Sequence, residues 1–506
     1  MFISLIKSVG CLTFFLLLWT VPLFRNKCIY FSSRVENFLQ KNKKLVLFTT
    51  LGLYILITII LQTHHGIEGD EGQAWLISRD SRSLGEMYSL MGYEGSPGLW
   101  HTILLPFSKL GAPYTTIYYI NHFFAITAIA IWLFYAPFPL IVRVLLPFSH
   151  ILLTEYSIMA RSYALSTCLL FISLALYKNY YKKWVLWTAS FFLLANTNIH
   201  STLLCCGFVL FLFLNWLIKK NKTDGKAMLV IGLGILLAAI QVYPPKDLEL
   251  HLAAIEYQGS LTTILTSVVT GYTPLCVLIY FVFLFQIMLV IKNKFNLYAL
   301  IATQLALFFL LVFKHVGEMR HHFFLFFSIL MCLWIGIKDR YKDIAHLILF
   351  AILILMAPAS IPMAARNWKR DHTFKKEMAM YIKNTIKLDT TTFIASHPDN
   401  LPTSLLPYIP HKLFYMPDDE RWGSYVIWTQ KRKSGLFNAE VVGNVAGLPN
   451  QFKTYQRYFY ITIYELPADS TNYYHIKLLK KVVDPYLVSI SNSWGTYYLY
   501  QLPQIK

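Results

Sequence analysis

The chain has 506 residues, of which 56% are hydrophobic and 16% aromatic but only 14% charged. Soluble domains carry about 25% charged residues, so this composition excludes an ordinary soluble protein and indicates an integral membrane protein. The formal net charge of +19 is typical of nucleic-acid-binding proteins, but the distribution of the basic residues argues against that class.

Apolar runs long enough to cross a bilayer as a helix, about 17 to 25 residues each, recur over the first two thirds of the chain. Met1–Thr20 has the charge pattern of a signal segment, but no small-residue cleavage site follows, so we expect it to be retained. The runs predict about twelve transmembrane helices, at 5–24, 45–62, 117–135, 139–155, 158–177, 184–199, 201–218, 227–243, 274–291, 296–313, 321–337 and 344–362.

The basic residues collect in the turns between these predicted helices. With these boundaries the clusters all fall on one side, as the positive-inside rule expects of cytoplasmic loops. The basic residues therefore orient the protein and bind no nucleic acid. The clusters are Arg25, Lys27, Arg34, Lys41, Lys43 and Lys44; Lys178, Lys182 and Lys183; Lys219, Lys220, Lys222 and Lys226; Lys292 and Lys294; and Lys338, Arg340 and Lys342.

The composition changes near residue 363 toward charged residues, Pro, Asn and Tyr. We therefore divide the chain into an N-terminal membrane segment with a basic cytoplasmic loop (1–44), a transmembrane domain (45–362) with an outer loop (63–116), and a soluble extracytoplasmic domain (363–506). In the last region a helical stretch, Phe374–Lys387, precedes short runs typical of strands: TTFIAS, RYFYITIYEL, YHIKLLKKVV and TYYLYQL. This order predicts a small α/β domain beside an all-α polytopic membrane domain.

The outer loop begins with an acidic pair, Asp70 and Glu71, in the stretch GDEGQAWLISRD. The segments 84–91 and 99–107 carry apolar residues at helical spacing, separated by the turn sequence YEGSPGLW. They predict two helices that lie in the membrane interface with the apolar face down. We therefore expect the loop to hold the acidic pair at the depth of the lipid headgroups.

Other polar residues lie at the same predicted outer level, near helix ends, where water lowers the cost of a charge. The pattern indicates an outward-facing pocket with carboxylates on one wall and cations on another. The residues are Tyr93, Glu94, His101, Glu155, Arg161, Tyr163, His200, Lys246, Arg320 and His321.

Transfer of a sugar from a polyprenyl phosphate suits such a pocket. Arg161, Arg320 and Lys246 would offset the negative charge that grows on the departing phosphate. A phosphate is a good leaving group, so one carboxylate suffices to take a proton from the acceptor, and Asp70 is the candidate base. The remaining polar residues of the pocket are candidates for substrate binding.

The order of GDEGQAWLISRDS, YEGSPGLWH, EYSIMARSYAL and GEMRHHFF resembles the GT-C superfamily of integral membrane glycosyltransferases. The resemblance covers residues 45–365 and is greatest to the branch that contains protein O-mannosyltransferases and the lipid A aminoarabinose transferase. It implies an acidic base in the first outer loop, at Asp70 with Glu71 completing the pair, and phosphate-binding cations at Arg161 and Arg320. The tail has no WWDYG motif, which argues against glycosylation of peptide sequons.

The resemblance also implies the activity and its setting. The expected reaction is an inverting transfer of a hexosyl or pentosyl group from a polyprenyl-phosphate donor to a lipid, glycan or protein acceptor. The expected place is the bacterial inner membrane, with the active site facing outward; an archaeal or endoplasmic reticulum membrane would show the same asymmetry of charge. A lipid-linked sugar flippase and a polyprenyl-linked glycan polymerase or ligase are the alternatives.

Each candidate residue also has a structural interpretation. Asp70 could serve as a helix N-cap, Glu71 could be structural, and Glu155 could pair with Arg161. His64 and His65 beside Asp70, like the histidines near Glu318, lack the spacing of a zinc site. We predict no required metal or other cofactor and leave a divalent metal open.

Overall fold

The computed structural model describes residues 2–248, 260–270, 273–369, 373–386, 388–409, 412–432, 441–484 and 495–504. The chain forms two compact units. We call them the membrane unit (Met1–Leu61, Tyr118–Val242 and His251–Ala365) and the loop–tail unit (Gln62–Ile117, Tyr243–Leu250 and Arg366–Lys506). The first outer loop thus clusters with the tail, whereas the sequence-based division placed it with the transmembrane domain.

The membrane unit is helical. Two π-helices, Ile151–Glu155 and Leu310–Lys314, and three 3₁₀ turns, Leu146–Phe148, Asp339–Tyr341 and Ala357–Ala359, lie between its described α-helices. The α-helices are α1 (Phe2–Thr20), α2 (Pro22–Lys41), α3 (Lys43–Thr63), α8 (Thr116–Tyr135), α9 (Leu140–Leu145), α10 (Ser162–Tyr177), α11 (Trp184–Ala195), α12 (Ile199–Lys219), α13 (Lys222–Gln241), α14 (Leu261–Val269), α15 (Thr273–Val290), α16 (Lys294–Phe309), α17 (Met319–His322), α18 (Phe324–Ile335), α19 (Lys342–Met356) and α20 (Ser360–Lys369).

In the described part of the chain, seven helical stretches are long and apolar enough to cross a bilayer, or eight if the bent pair α1–α2 counts as one span. Three shorter apolar helices, Ser162–Tyr177, Trp184–Ala195 and Met319–Ile335, accompany them. The chain is therefore a polytopic membrane protein, but the predicted count of about twelve spans is not confirmed. The predicted span 139–155 shows why, because it breaks at Pro147 into α9, a 3₁₀ turn and a π-helix; proline has no backbone N–H for a continuous helix.

Asparagine side chains begin three helices of the membrane unit. The Oδ1 atoms of Asn198, Asn221 and Asn293 accept backbone N–H groups two or three residues further on, at 2.8–2.9 Å. These bonds satisfy donors that the first helical turn leaves without a partner. The ANTN stretch thereby fixes the first residue of α12.

Small residues allow close packing between membrane helices. A Cβ on Gly207 of α12 would overlap the hydroxyl of Thr303 on α16. A Cβ on Gly234 of α13 would lie 2.9 Å from the ring of Phe192 on α11. Small residues at such crossings are typical of helix packing inside membranes.

The loop–tail unit combines the outer-loop helices with a mixed α/β domain. The helices of this unit are α4 (Gly69–Asp80), α5 (Leu84–Ser89), α6 (Met91–Glu94), α7 (Leu99–Lys109), α21 (Thr373–Thr385), α22 (Pro402–Leu405), α23 (Val441–Gln451) and α24 (Ala468–Tyr473). A 3₁₀ turn, Leu406–Tyr408, follows α22. Its strands are β1 (Thr392–His397), β2 (Phe414–Met416), β3 (Arg421–Gly423), β4 (Arg457–Thr462), β5 (Lys477–Val483) and β6 (Thr496–Gln501).

These strands form one sheet in the order β3-β2-β1-β4-β6-β5. The strand β1 runs parallel to both β2 and β4, with Ala395 opposite Tyr415 and Tyr460. The β2–β3, β4–β6 and β5–β6 pairs are antiparallel. The predicted small C-terminal α/β domain is therefore confirmed.

Alternating side chains of β1, β4 and β6 supply cores on both faces of the sheet, as the two-residue repeat of a strand requires. On one face α23 packs against Phe393, Ala395, Tyr458, Tyr460, Tyr498 and Tyr500. On the other face α21, α22 and residues of the outer loop pack against Ile394, Phe459, Ile461, Tyr497 and Leu499.

The second core corrects the expectation of interfacial loop helices. Leu76 and Ile77 of α4, Met87 of α5 and Met91 of α6 are buried in this core together with the tail. The side chains of Met87 and Met91 therefore face protein and not lipid, whereas Leu84 and Phe107 of the two predicted interfacial helices are 53% and 42% exposed.

Candidate functional site

The acidic pair lies at the start of α4, whose first turn is stabilised by a reciprocal pair of hydrogen bonds. Glu68 is the N-cap, and its side chain accepts the backbone N–H of Glu71 while its own N–H donates to Glu71 Oε2 at 2.9 Å. This arrangement is a capping box. Asp70 is the second residue of the helix, so the N-cap interpretation of Asp70 is wrong.

Glu71 also forms a buried ion pair. Its Oε2 atom lies 3.0 Å from Nε2 of His65, and its carboxylate is 0% exposed. Burial lowers the pKa of His65, but the carboxylates of Glu71 and Glu68 raise it by more in total, so that this pKa lies above its ordinary value. Glu71 is thus bound within the protein, which favours its structural interpretation.

Asp70, in contrast, is exposed. The opposite side of the first turn is packed closely, because a Cβ on Gly72 would overlap the carbonyl oxygen of Thr403 at the start of α22. Close contact on one side of α4 leaves the Asp70 carboxylate on the accessible side. Asp70 lies in the first turn of α4, where the positive end of the helix dipole attracts negatively charged groups.

Gln73, a residue that the sequence did not single out, ties α4 to the tail and to α6. Its side-chain amide pairs with the backbone of Val426, donating to the carbonyl at 2.8 Å and accepting the N–H at 3.0 Å. It also donates to Glu94 Oε1 at 2.8 Å. Glu94 is therefore part of the contact that holds α4 in place.

Tyr93 contacts the segment that contains Lys246. Its hydroxyl donates to Asp247 Oδ1 at 2.7 Å, and this bond, with partial burial, raises the pKa of Tyr93 to about 12. Lys246 itself is exposed. The neighbouring Gly92 allows the approach, because a Cβ there would lie 2.6 Å from the carbonyl oxygen of Tyr243.

His101 is buried in α7. Its carbonyl oxygen accepts the hydroxyl of Ser78 on α4 at 3.1 Å. Six of the sequence-predicted residues thus lie in the loop–tail unit. They are Asp70, Glu71, Tyr93, Glu94, His101 and Lys246.

The other six predicted residues lie in the membrane unit. Three of them, Tyr163, His200 and His321, form a cluster. Tyr163 Oη lies 2.7 Å from Nε2 of His321, and the His200 ring lies 5.1 Å from the His321 ring. Gly317, at φ +62°, makes room for the imidazole, because a Cβ there would lie 2.5 Å from Nδ1 of His321. The glycine of the GEMRHH stretch thus positions His321.

His321 also closes the first turn of α17. The backbone N–H of Glu318 donates to Nδ1 of His321 at 2.7 Å. An accepting Nδ1 places the proton of a neutral imidazole on Nε2, which then donates to Tyr163. The tautomer of His321 therefore follows from its two contacts.

Arg320 is buried and ion-paired. Its Nη1 atom donates to Glu318 Oε2 at 2.5 Å, and its carbonyl oxygen accepts the Tyr156 hydroxyl at 2.6 Å. Arg161 is the N-cap of α10 and is half-buried, while Glu155 ends the π-helix Ile151–Glu155. The expected pairing of Glu155 with Arg161 stays a prediction.

Among the described residues, no group of three or more His, Cys, Asp or Glu side chains is arranged to hold a metal ion. His64 instead stacks on Trp368, with the ring centroids 3.7 Å apart.

No family model matches the chain. No curated protein matches it. The structure is similar to the crystal structure of ArnT from Cupriavidus metallidurans bound to undecaprenyl phosphate, with a TM-score of 0.53 and 10% sequence identity, covering 90% of this chain and 97% of that chain. At this identity the similarity shows the fold, and the expected GT-C-like architecture of apolar helices with a small C-terminal sheet domain is confirmed.

Proposed function

We propose that this protein is a glycosyltransferase that uses a polyprenyl-phosphate sugar as donor on the extracytoplasmic side of the membrane. The fold shared with ArnT over 90% of the chain carries the proposal, because ArnT was crystallised with undecaprenyl phosphate bound. Apolar membrane helices also provide the surface that a polyprenyl tail requires. We also propose that the protein belongs to the branch of the GT-C superfamily that contains protein O-mannosyltransferases and the lipid A aminoarabinose transferase.

In the proposed reaction Asp70 is the general base. Asp70 is exposed, whereas Glu71 is buried against His65, and a base must reach the proton that it removes. The acceptor oxygen or nitrogen bonds to the anomeric carbon as the bond from that carbon to the phosphate oxygen breaks. The acceptor proton passes to Asp70, the polyprenyl phosphate leaves, and the anomeric configuration inverts.

Cations stabilise the leaving phosphate in this mechanism. Arg320 already holds a carboxylate, that of Glu318, and a guanidinium binds carboxylate and phosphate with the same donor geometry. We assign phosphate binding to Arg320 and Arg161 and a supporting role to exposed Lys246. Tyr163, His200 and His321 form one polar cluster and are assigned to binding of the substrate.

Turnover by Asp70→Asn tests the base. The purified protein in liposomes is incubated with labelled polyprenyl-phosphate sugars and a panel of lipid, glycan and protein acceptors, and released polyprenyl phosphate is measured. Asp70→Asn should lower turnover at least about 100-fold and should still bind undecaprenyl phosphate. Asp469→Asn is the matched control, because Asp469 is also an exposed second residue of a helix, α24. Turnover by Asp70→Asn equal to wild type would reject the base.

Donor binding tests the cations separately. Arg320→Ala and Arg161→Ala should weaken binding of undecaprenyl phosphate by about tenfold or more, because a charge-assisted hydrogen bond contributes about 1.5 to 3 kcal/mol. The control is Arg340→Ala, at an exposed arginine of the same unit. Equal affinity in all four proteins would overturn the assignment. Movement of the donor across the bilayer without release of its phosphate would instead identify a flippase.

A further inference from the structure

The helix α2 differs from its neighbours in lying almost at a right angle to the apolar helix that precedes it. The two helices meet at Val21–Pro22 with a bend of 108°. The first helix, α1, packs along α15, where Phe15 stacks on Phe283 at 6.4 Å and accepts an amide hydrogen bond from Gln286 at 3.0 Å. If α1 follows the membrane-crossing α15, then α2 lies along the membrane surface.

The exposed side of α2 combines large apolar and basic side chains. None of its residues is buried. Lys27, Arg34 and Lys41 recur every seven residues and are exposed, so they form one column along the helix. Phe31 and Phe38, also seven residues apart, are 68% and 69% exposed and form the adjacent column.

The acidic residue of α2 points elsewhere. Glu36 accepts the backbone N–H groups of Leu140 and Ile141, at 2.9 and 3.3 Å, at the start of α9. It therefore fastens α2 to α9 and lies on the side of α2 away from the basic column. Within α2, no acidic residue shares the exposed side with the basic column.

This combination fits a lipid surface better than water or hydrocarbon. Exposed phenylalanines would contact water in a free cytoplasmic helix, and the charged column would be buried in hydrocarbon in a transmembrane helix. An interfacial helix places aromatic rings at the edge of the acyl chains and basic side chains among the headgroups. Cytoplasmic polybasic segments next to a membrane attract anionic lipids.

We propose that α2 is an interfacial helix that binds anionic phospholipid headgroups of the cytoplasmic leaflet through Lys27, Arg34 and Lys41. Phe31 and Phe38 insert beside the headgroups and keep the basic column at the phosphate level. This binding is independent of the proposed glycosyl transfer.

Hydrogen–deuterium exchange of the full-length protein in nanodiscs tests the proposal. The lipids are phosphatidylcholine alone or phosphatidylcholine with roughly one third phosphatidylglycerol. Near an anionic membrane surface, each Lys or Arg strengthens binding of the segment to the membrane about fivefold. Amides of residues 23–41 should exchange several-fold more slowly with the anionic lipid. The variant Lys27→Gln/Arg34→Gln/Lys41→Gln should lose this difference.

The control variant removes three exposed lysines of the tail, Lys376, Lys453 and Lys477, by the same change to Gln and should keep the difference. Exchange in α12 provides the reference for an intact membrane unit in every sample. Equal exchange of α2 in both lipids, or a response to phosphatidylglycerol that survives the triple change in α2, would overturn the proposal. Protection of α2 that appears only with a cytoplasmic protein fraction would also overturn it.

Discussion

The imidazole of His65 and the carboxylate of Glu71 form an ion pair at 3.0 Å that is almost completely buried. The same carboxylate accepts the N–H of Glu68 and so completes the capping box of α4. One buried pair therefore fixes the helical turn that carries Asp70. The position of the proposed base depends on the acidic residue beside it, which has a structural task.

Replacing His65 should destabilise the protein. His65→Ala leaves the Glu71 carboxylate buried without its partner, which is expected to lower the free energy of unfolding by about 3 kcal/mol. Denaturant unfolding of the purified protein in detergent measures this loss. His64→Ala is the control and should cost less, because His64 stacks on a half-exposed tryptophan. Equal losses in both variants would contradict the prediction.

The same pair predicts a pH dependence. The pKa of folded His65 is raised above 6.5 by Glu71, so the pair's contribution to stability is complete below pH 6.5 and is lost as the pH rises through the raised value. The thermal midpoint of wild type, measured relative to His65→Gln, should therefore fall with rising pH in that window. A difference that is constant or increases with pH would show that the sign is wrong.

The contact between α4 and α22 makes Gly72 intolerant of a side chain. Gly72→Ala should destabilise the protein by about 1 to 3 kcal/mol, because the new methyl group forces α4 away from Thr403. Gly85→Ala is the control in a helix of the same loop, where the nearest atom would be 3.6 Å away, and it should be neutral or stabilising by about 0.5 kcal/mol. Thermal unfolding of the two variants compares them directly.

A matched pair of glycines tests packing inside the membrane unit. Gly207→Ala would place a methyl group on the hydroxyl of Thr303, whereas Gly232→Ala meets nothing within 4 Å. Gly207→Ala should lower the free energy of unfolding by about 1 to 3 kcal/mol, and Gly232→Ala should leave it within about 0.5 kcal/mol. Similar stability of the two variants would contradict the α12–α16 contact.

The tail shows which strands a sequence can reveal. The runs TTFIAS and TYYLYQL alternate between two faces and form β1 and β6. In contrast, β2 and β3 contain only three residues each, too few for a periodic pattern to appear. They exist because Tyr415 pairs with Ala395 on β1 and with Trp422 on β3, contacts that no local pattern encodes.

The candidate site was predictable in part. Charge and position singled out the acidic pair. The three-residue spacing of Glu68 and Glu71 is that of a capping box, and this signal could have indicated a structural role for Glu71 and not for Asp70. Gln73 could not be recognised, because its partner Val426 lies 353 residues away. The predicted roles of Asp70, Arg161 and Arg320 stay predictions until turnover and donor binding are measured.

The sequence separation between Gln73 and Val426 also sets an order of events during synthesis. At about 5 to 20 residues per second, roughly 20 to 70 s of translation separate Gln73 from Val426, 353 residues later. Until then α4 lacks its main-chain partner in the tail. A ribosome that stops before Val426 would release a chain that has its bilayer helices but lacks the backbone partner of Gln73, so α4 can dock on the tail only after most of the polypeptide has been made.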